Sequence, residues 1–175
     1  GLVNNAGVND GVGLENGDAE SFIDSLKKNV VHYYVMTQAC LPYLKENKGS
    51  IVNIGSKVSL TGQGGTSAYA AACGGRNALT REWAVELLPH SIRVNAVIVA
   101  ESYTPLYEKW INTLPNPKEK LNQIESKIPL EKRMTTPQEI ANTVAFLLSE
   151  KSSHTTGQFL FVDGGYIHLD RSLNQ

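Results

Sequence analysis

Two hydroxyl side chains stand where they could hold a substrate oxygen and move its proton. Ser56 follows a short apolar segment, and Tyr69 lies thirteen residues further on, in the first turn of a helical pattern. Ligands of parallel sheets bind beyond the carboxyl ends of the strands, so both hydroxyls are expected at that edge. A serine there can orient a substrate oxygen while a tyrosine donates or accepts the proton. Taken singly, Ser56 also fits a strand-end cap and Tyr69 a packed aromatic.

The elements that would position these residues alternate between strands and helices. Short apolar segments bounded by Gly, Ser, Asn or Asp predict four strands: Gly1 to Asn5, Ser50 to Ile54, Ile92 to Val97 and Phe159 to Val162. Helical spacing predicts helices after an Asp18 cap, over Asn29 to Lys45, from a Thr66 or Ser67 cap to about Leu88, and from Pro137 to about Ser149. This alternation predicts an α/β fold built on a parallel sheet.

The alternation is interrupted between residues 101 and 136. Prolines punctuate two short helical patterns there, over about 104–112 and 117–127: Pro105, Pro115, Pro117 and Pro129. An excursion of this length inside a compact domain is more typical of a binding segment than of a plain connector. We therefore expect residues 101–136 to form a substrate lid.

Composition excludes several classes of protein. The 175 residues are 41% hydrophobic, and 16 Lys and Arg nearly balance 17 Asp and Glu. Balanced charge gives no basic patch for nucleic acid or an anionic membrane, and no apolar run could span a bilayer. Neither cysteine, Cys40 or Cys73, has the spacing of a zinc site. We expect a soluble cytoplasmic protein that binds no nucleic acid, no membrane and no metal.

Several motifs occur in an order and spacing that resembles the short-chain dehydrogenase/reductase family: Asn4-Asn5-Ala6-Gly7, Asn29, Asn53-Ile54-Gly55-Ser56, Tyr69 and Val162-Asp163-Gly164-Gly165. The resemblance covers essentially the whole chain. It implies a Rossmann-like doubly wound parallel sheet, of which this chain holds the C-terminal portion, about four strands with flanking helices. It also implies an oxidoreductase that transfers a hydride between NAD or NADP and a hydroxyl-bearing carbon of a small molecule.

Further segments are similar to the L-fucose dehydrogenase branch of that family: Gly62 to Ser67, Thr80 to Leu88, Ala100-Glu101 and His154 to Gly157. Enzymes of this branch oxidise the anomeric hydroxyl of an aldose. The implied substrate is therefore a sugar such as L-fucose.

The resemblance assigns a role to each matching residue. Tyr69 is the implied general acid/base, Ser56 orients the substrate hydroxyl, and Asn29 holds the backbone-and-water path of a proton relay. Implied cofactor contacts are Asn5, Ala6, Gly7, Tyr69, Cys73, Val99 and Thr104. Expected substrate contacts are Ser56, Gln63, Tyr69 and Glu101. Gln63 and Glu101 also fit turn-forming or solvated roles.

The chain departs from the family's Tyr-x-x-x-Lys motif, because the fourth residue after Tyr69 is Cys73. Residues i and i+4 share a helix face, so that lysine can bond the cofactor and place its charge beside the phenol. Lowering a phenol from its usual pKa near 10 to 7 takes about 4 kcal/mol, which a neutral thiol does not supply. Cys73 thus marks the position of a missing catalytic lysine.

Two other cations could compensate. Arg76 lies one turn further along the same face, although an exposed or interface arginine is the more ordinary expectation. Lys57 follows Ser56 directly, but neighbours in an extended segment point to opposite faces, which favours a solvated lysine. A second departure, Val99-Ala100, stands where the family usually has Pro-Gly or Pro-Ala beside the nicotinamide.

The resemblance makes the first strand internal to the family's sheet. It places a glycine-rich βαβ part of about 70 to 90 residues before Gly1, together with the residue that separates NAD from NADP. We therefore expect residues 1–175 to be a single, N-terminally truncated Rossmann-type domain. Relatives form tetramers through two long helices, here about 29–45 and 66–88, which implies a homo-oligomer once the domain is completed.

Three functions remain open from the sequence. The first is an active oxidoreductase, with Tyr69 and Ser56 flanking the reacting carbon. The second is a catalytically impaired or inactive relative that keeps a structural or oligomer role, with Cys73 as the mark of lost chemistry. The third is a generic α/β binding module.

Overall fold

The computed structural model describes residues 1–169 and shows a four-stranded sheet in which every neighbouring pair of strands is parallel. The strands lie in chain order: β1 (Leu2–Asn4), β2 (Ser50–Ser56), β3 (Arg93–Val99) and β4 (Phe159–Val162). The helices are α1 (Ala19–Leu26), α2 (His32–Glu46), α3 (Ser67–Glu86), α4 (Pro105–Ile111), α5 (Pro117–Glu125) and α6 (Pro137–Leu148). The predicted α/β fold with four parallel strands is confirmed.

Two strands run further at their carboxyl ends than predicted. β2 continues past Ile54 to Ser56, and β3 continues past Val97 to Val99. The register pairs Ser56 with Val99. Gly55 and Ser56 resemble turn residues, yet their backbone still joins the ladder. The extension brings Ser56 to the edge where ligands of parallel sheets bind.

The two sheet faces carry separate apolar clusters, because successive strand residues point to opposite sides. The cluster against α2 and α3 consists of buried side chains: Tyr33, Leu44, Ile51, Trp83, Ala84, Leu87, Ile92 and Val94. The opposite cluster, against α6, centres on Val52, Val97 and Leu147. The sheet is therefore held between two helical layers.

A row of buried polar side chains crosses the sheet beneath the site. The Asn4 amide donates to Asn53 Oδ1 at 2.9 Å and to Thr37 Oγ1 at 3.1 Å. The Asn53 amide in turn donates to Thr80 Oγ1 at 3.0 Å. These bonds join β1 and β2 to α2 and α3, so they fix the strands against the helix that follows Asn29 and the helix that carries Tyr69.

The longer helix between the first two strands was predicted to begin at Asn29, but α2 begins at His32. A π-helical turn, Lys27–Val31, connects α1 to α2, and Asn29 lies within it with no exposed surface. The Asp18 cap is confirmed, since its carboxylate accepts from the Ser21 N–H at 2.8 Å. Thr66 precedes α3, but its side chain makes no capping hydrogen bond.

Residues 101–136 fold as α4 and α5, each beginning at a proline, as predicted. An isolated parallel bridge between Ser102 and Thr135 joins the two ends of the segment. The Thr104 hydroxyl accepts from the Tyr107 N–H at 3.2 Å and starts α4. The segment thus returns to the sheet edge at which it leaves.

Within residues 1–169, no helix combines the length and hydropathy required to cross a bilayer. The same part of the chain holds no group of three or more His, Cys, Asp or Glu side chains arranged to bind a metal.

Replacing Asn53 by alanine should destabilise the protein by about 2 kcal/mol, because buried groups of Asn4 and Thr80 would lose hydrogen-bond partners. Urea unfolding followed by circular dichroism measures the loss. Ser126→Ala, at an exposed position, should stay within about 0.5 kcal/mol of wild type. An unchanged unfolding midpoint for Asn53→Ala would contradict the structural importance of this polar row.

Candidate active site

Two cavities open beyond the carboxyl ends of β2 and β3. The first has a volume of about 610 Å³ and the second about 630 Å³, both in the range of small-molecule sites. They share four lining residues: Ser56, Tyr69, Ala100 and Thr104. The hydroxyls of Ser56 and Tyr69 therefore lie where the two cavities meet.

The first cavity contains most of the residues expected to touch a cofactor. Besides Tyr69, the expected residues along its wall are Asn5, Gly7, Val99 and Thr104. Ala6 is exposed and does not line it, and its carbonyl oxygen lies 2.9 Å from His32 Nε2. Apolar side chains of α6 form another part of the wall: Ile140, Val144 and Leu148.

The second cavity brings together the residues expected to touch a substrate. Gln63 and Glu101 line it together with Ser56 and Tyr69. Its walls also include Lys57 and, from α4, the aromatic residues Tyr107 and Trp110. This mixture of charged, amide, hydroxyl and aromatic groups suits a polar ligand with an apolar face.

Lys57 is not the solvated lysine that the sequence predicted. It forms an ion pair with Glu101, and the two side chains are only 12% and 15% exposed. The Lys57 ammonium also lies 4.2 Å from the centre of the Tyr166 ring. The short 3₁₀ turn Lys57–Ser59, which follows β2 at once, ends the extended backbone on which the prediction rested.

Sequence reasoning did not single out Tyr107 and Trp110. They are three residues apart on α4, and their rings meet edge to face with centres 5.1 Å apart. The Tyr107 hydroxyl is buried and has no hydrogen-bond partner in the described part of the chain. Burial, and then the Glu101 carboxylate, raises the pKa of Tyr107. The sequence feature that could have identified these two residues is the i, i+3 spacing of two aromatics in a short helical pattern.

Tyr69 is surrounded by neutral polar groups and one cation. Ser56 and Cys73 interact with its side chain, and Arg76 lies with its guanidinium carbon 5.7 Å from the ring centre. Burial raises the pKa of Tyr69 above its ordinary value, Cys73 adds to the rise, and Arg76 opposes it. At neutral pH the phenol is therefore protonated and ready to donate.

Cys73 lies beneath the site rather than on its surface. It is fully buried, and it lines neither of the two cavities. Its thiol interacts with the hydroxyls of Tyr69 and Ser56, and burial raises the pKa of the thiol. Cys73 therefore interacts with the Tyr69 and Ser56 hydroxyls from the buried side of the site.

Asn29 is held in place by hydrogen bonds on both sides of its amide. Its Oδ1 accepts from the Val8 N–H at 2.7 Å, and its Nδ2 donates to the Ser25 carbonyl at 3.0 Å. Its main-chain carbonyl accepts from Arg76 Nε at 2.5 Å. Asn29 thus ties the loop after β1 to α1 and α3, and it is fully buried and lines neither cavity.

Arg76 is buried, which overturns the expectation of an exposed or interface arginine. Its side chain is 3% exposed, donates to main-chain carbonyls of Asn29 and Ile54, and lines the first cavity. Gly7 makes room for it, because a Cβ there would come within 2.8 Å of Arg76 Nη2 and 2.9 Å of Asn29 Oδ1.

Comparison with known proteins identifies the family. Residues 1–167 match the family described as enoyl-(acyl carrier protein) reductase. The chain belongs to the short-chain dehydrogenase/reductase family. The crystal structure of Cj0485 dehydrogenase superimposes with a TM-score of 0.96 at 55% identity, over 99% of this chain and 67% of that one.

Two curated members of the short-chain dehydrogenase/reductase family differ in substrate. The 3-oxoacyl-[acyl-carrier-protein] reductase FabG of Thermotoga maritima is 37% identical over 95% of this chain and 65% of its own length. The L-fucose dehydrogenase of Bos taurus is 33% identical over 94% of this chain and 60% of its own length. The chain thus spans somewhat less than two thirds of these relatives.

The first cavity fits the nicotinamide cofactor that the short-chain dehydrogenase/reductase family implies. Its walls are largely apolar. Gly7, which packs closely against Arg76 and Asn29, has no side chain that could obstruct the cofactor. The residues that would hold the cofactor are those along this wall: Asn5, Gly7, Val99 and Thr104. The bound nicotinamide would supply the hydride chemistry.

The burial of Cys73 predicts that it reacts slowly with alkylating reagents. Its thiol is inaccessible and its pKa is raised, so little reactive thiolate forms at mildly alkaline pH. Cys40, which is partly exposed, provides the internal comparison. Iodoacetamide at pH near 8, followed by peptide mass spectrometry, should label Cys40 at least about tenfold faster. Equal labelling in the folded protein would show that the thiol at position 73 is open to solvent.

Proposed function

We propose that this protein is a nicotinamide-dependent oxidoreductase acting at a hydroxyl-bearing carbon of a small polar molecule, with the anomeric centre of an aldose as the favoured substrate. The observation that carries the proposal is the meeting of two cavities at Ser56 and Tyr69. Such a pair of cavities can bring two reactants together at one proton-transfer group. Membership of the short-chain dehydrogenase/reductase family supports the same chemistry.

The residues of this chain would perform the positioning and the proton transfer. In the oxidation direction, the Ser56 hydroxyl holds the substrate oxygen, and ionised Tyr69 accepts the proton as the hydride leaves the carbon. In the reduction direction, protonated Tyr69 donates that proton to the carbonyl oxygen. Because the pKa of Tyr69 is raised, the protonated form that can donate predominates at neutral pH, and oxidation, which needs the ionised form, should accelerate as the pH rises.

The lining of the second cavity favours a sugar over an acyl chain. The Lys57–Glu101 ion pair and the Gln63 amide offer several hydrogen-bonding groups to adjacent hydroxyls. An aromatic side chain such as Trp110 offers a flat surface to the apolar face of a sugar ring. The segment 101–136, which contributes Glu101 and α4, would act as the substrate lid.

Either NAD or NADP would serve as the cofactor, and both belong in the assay. The competing function is an impaired or inactive relative with a structural role, which the replacement of the family lysine by Cys73 favours. Cofactor binding and turnover, measured separately, distinguish the two functions. An inactive structural protein need show neither.

Replacing Tyr69 by phenylalanine should lower turnover by about 10² to 10⁴ while cofactor binding persists, because only the proton-transfer group is removed. The assay follows the reduced nicotinamide with L-fucose, other aldoses and a 3-oxoacyl thioester as substrates. Activity with the thioester alone would overturn the sugar assignment. Unchanged turnover in Tyr69→Phe would overturn the assignment of the general acid/base.

Replacing Cys73 by lysine should raise turnover in the oxidation direction at neutral pH. An ammonium group at i+4 would lower the pKa of Tyr69 and move the alkaline limb of the rate profile to lower pH. Cys73→Ser, which adds no charge, is the matched control and should leave that limb in place. If neither variant nor the wild type binds NAD or NADP, the structural alternative stands.

We also propose that the protein forms a homo-oligomer through α2 and α3. Apolar side chains on these helices are at least 48% exposed: Tyr34, Val35, Met36, Tyr43 and Val85. Exposed apolar surface on this scale is typical of an interface. Sedimentation should show a multimer that Val35→Glu dissociates, whereas Lys118→Glu, an exposed charge change on α5, should leave it intact. A monomeric wild type would contradict the proposal.

A further inference from the structure

The first cavity contains a buried cation without an acidic partner. Arg76 is 3% exposed, and no Asp or Glu among residues 1–169 forms an ion pair with it. Burial of an unpaired charge is costly unless polar groups surround it. A charge that is buried in a cleft without a counter-charge points to a use for the charge itself.

Three acceptors hold the guanidinium in one orientation. Arg76 Nε donates to the Asn29 carbonyl at 2.5 Å, Nη1 to the Ile54 carbonyl at 3.3 Å and Nη2 to Asn29 Oδ1 at 3.3 Å. None of these acceptors carries a formal charge, so the positive charge is not neutralised. A guanidinium has five N–H donors, and each terminal nitrogen keeps one beyond these bonds.

The Asn29 carbonyl reaches Arg76 because of the π-helical turn over Lys27–Val31. A π turn alters the regular i→i+4 hydrogen-bond pattern and is frequent at functional sites. The family resemblance assigns the proton path to the Asn29 carbonyl. This same carbonyl accepts the shortest hydrogen bond that Arg76 makes.

The Arg76 guanidinium lies against the rings of two tyrosines, Tyr33 and Tyr69. Its guanidinium carbon lies 4.6 Å from the Tyr33 ring centre and 5.7 Å from the Tyr69 ring centre. The other titratable groups that face Tyr69 are Cys73 on its own helix and Tyr33 on α2, and burial raises the pKa of both. Lys57, although next to Ser56, is engaged by Glu101.

We propose that Arg76 is the positioning residue that stabilises ionised Tyr69 and holds the Asn29 carbonyl, replacing the lysine that the family carries at position 73. The inference rests on the proposed function, in which ionised Tyr69 is the base. Replacement of one cation by another three residues further along α3 leaves the phenol with a positive neighbour. The site then retains catalytic chemistry despite Cys73.

The direct test is the ionisation of Tyr69 itself, which needs no turnover. Site-specific 3,5-difluorotyrosine at position 69 lowers the phenol pKa into an accessible range, and ¹⁹F NMR follows its titration. Arg76→Gln, which keeps hydrogen-bond donors but loses the charge, should raise that pKa by about one to two units. Arg76→Lys, which keeps the charge, should raise it by less than about half a unit.

Two controls separate charge from structure. Arg81→Gln removes an exposed arginine from the same helix and should leave the Tyr69 titration unchanged. Circular dichroism and the thermal midpoint report whether each variant is folded. Equal titration curves for folded Arg76→Gln and wild type would overturn the proposal, as would equal shifts in Arg76→Gln and Arg76→Lys.

Kinetics provide a second test through a double-mutant cycle. If the two cations replace each other, Arg76→Gln should lower oxidation at a fixed pH by about ten- to a hundredfold in the wild type and by less than about threefold in Cys73→Lys. Equal losses in both backgrounds would overturn the proposal. A protein that turns over no substrate fails the proposed function, while the ¹⁹F titration still decides the role of Arg76.

Discussion

The hydrogen bonds of one buried guanidinium join three parts of the chain that are distant in sequence. Arg76 on α3 holds the π turn through Asn29 and the end of β2 through Ile54. Those same carbonyls and helices position Ser56 and Tyr69. Without these hydrogen bonds, α3, which carries Tyr69, and β2, which carries Ser56, would no longer be held in a fixed relative position. The geometry of the site therefore depends on a buried guanidinium that has no acidic partner among residues 1–169.

The parallel arrangement of the strands explains why two cavities meet at one place. β2 and β3 end side by side, with Ser56 opposite Val99, and the chain then turns away in different directions. β2 continues into the Lys57–Ser59 turn and then α3, whereas β3 continues into the segment that carries α4 and α5. The Lys57–Glu101 ion pair links the two chain segments that leave this edge. Two binding spaces around one pair of hydroxyls follow from this topology.

The sequence was a good guide to the fold and to the two central hydroxyls. The alternation of apolar runs and helical patterns predicted the four parallel strands, and strand-end placement brought Ser56 and Tyr69 together. It was a poor guide to Arg76, expected at an exposed or interface position, and to Lys57, expected in solvent. Burial of a long charged side chain depends on acceptors from other elements, such as the Asn29 carbonyl and Glu101, which no local pattern reveals. The π turn was missed for a similar reason, because its spacing resembles that of an ordinary helix.

The π turn also determines which changes in chain length the protein can accept. Lys27–Val31 contains one residue more than a regular helical path between α1 and α2 would need. Deleting one residue there would convert the turn to plain α-helix, while α1 and α2 would keep their relative orientation because the π turn absorbs the extra residue. The Asn29 carbonyl would enter the regular helical hydrogen-bond pattern, and Arg76 would be left as a buried cation with its closest acceptor removed. A five-residue stretch with no unusual composition is thereby closed to deletion of a single residue, while substitutions on its exposed side remain tolerable.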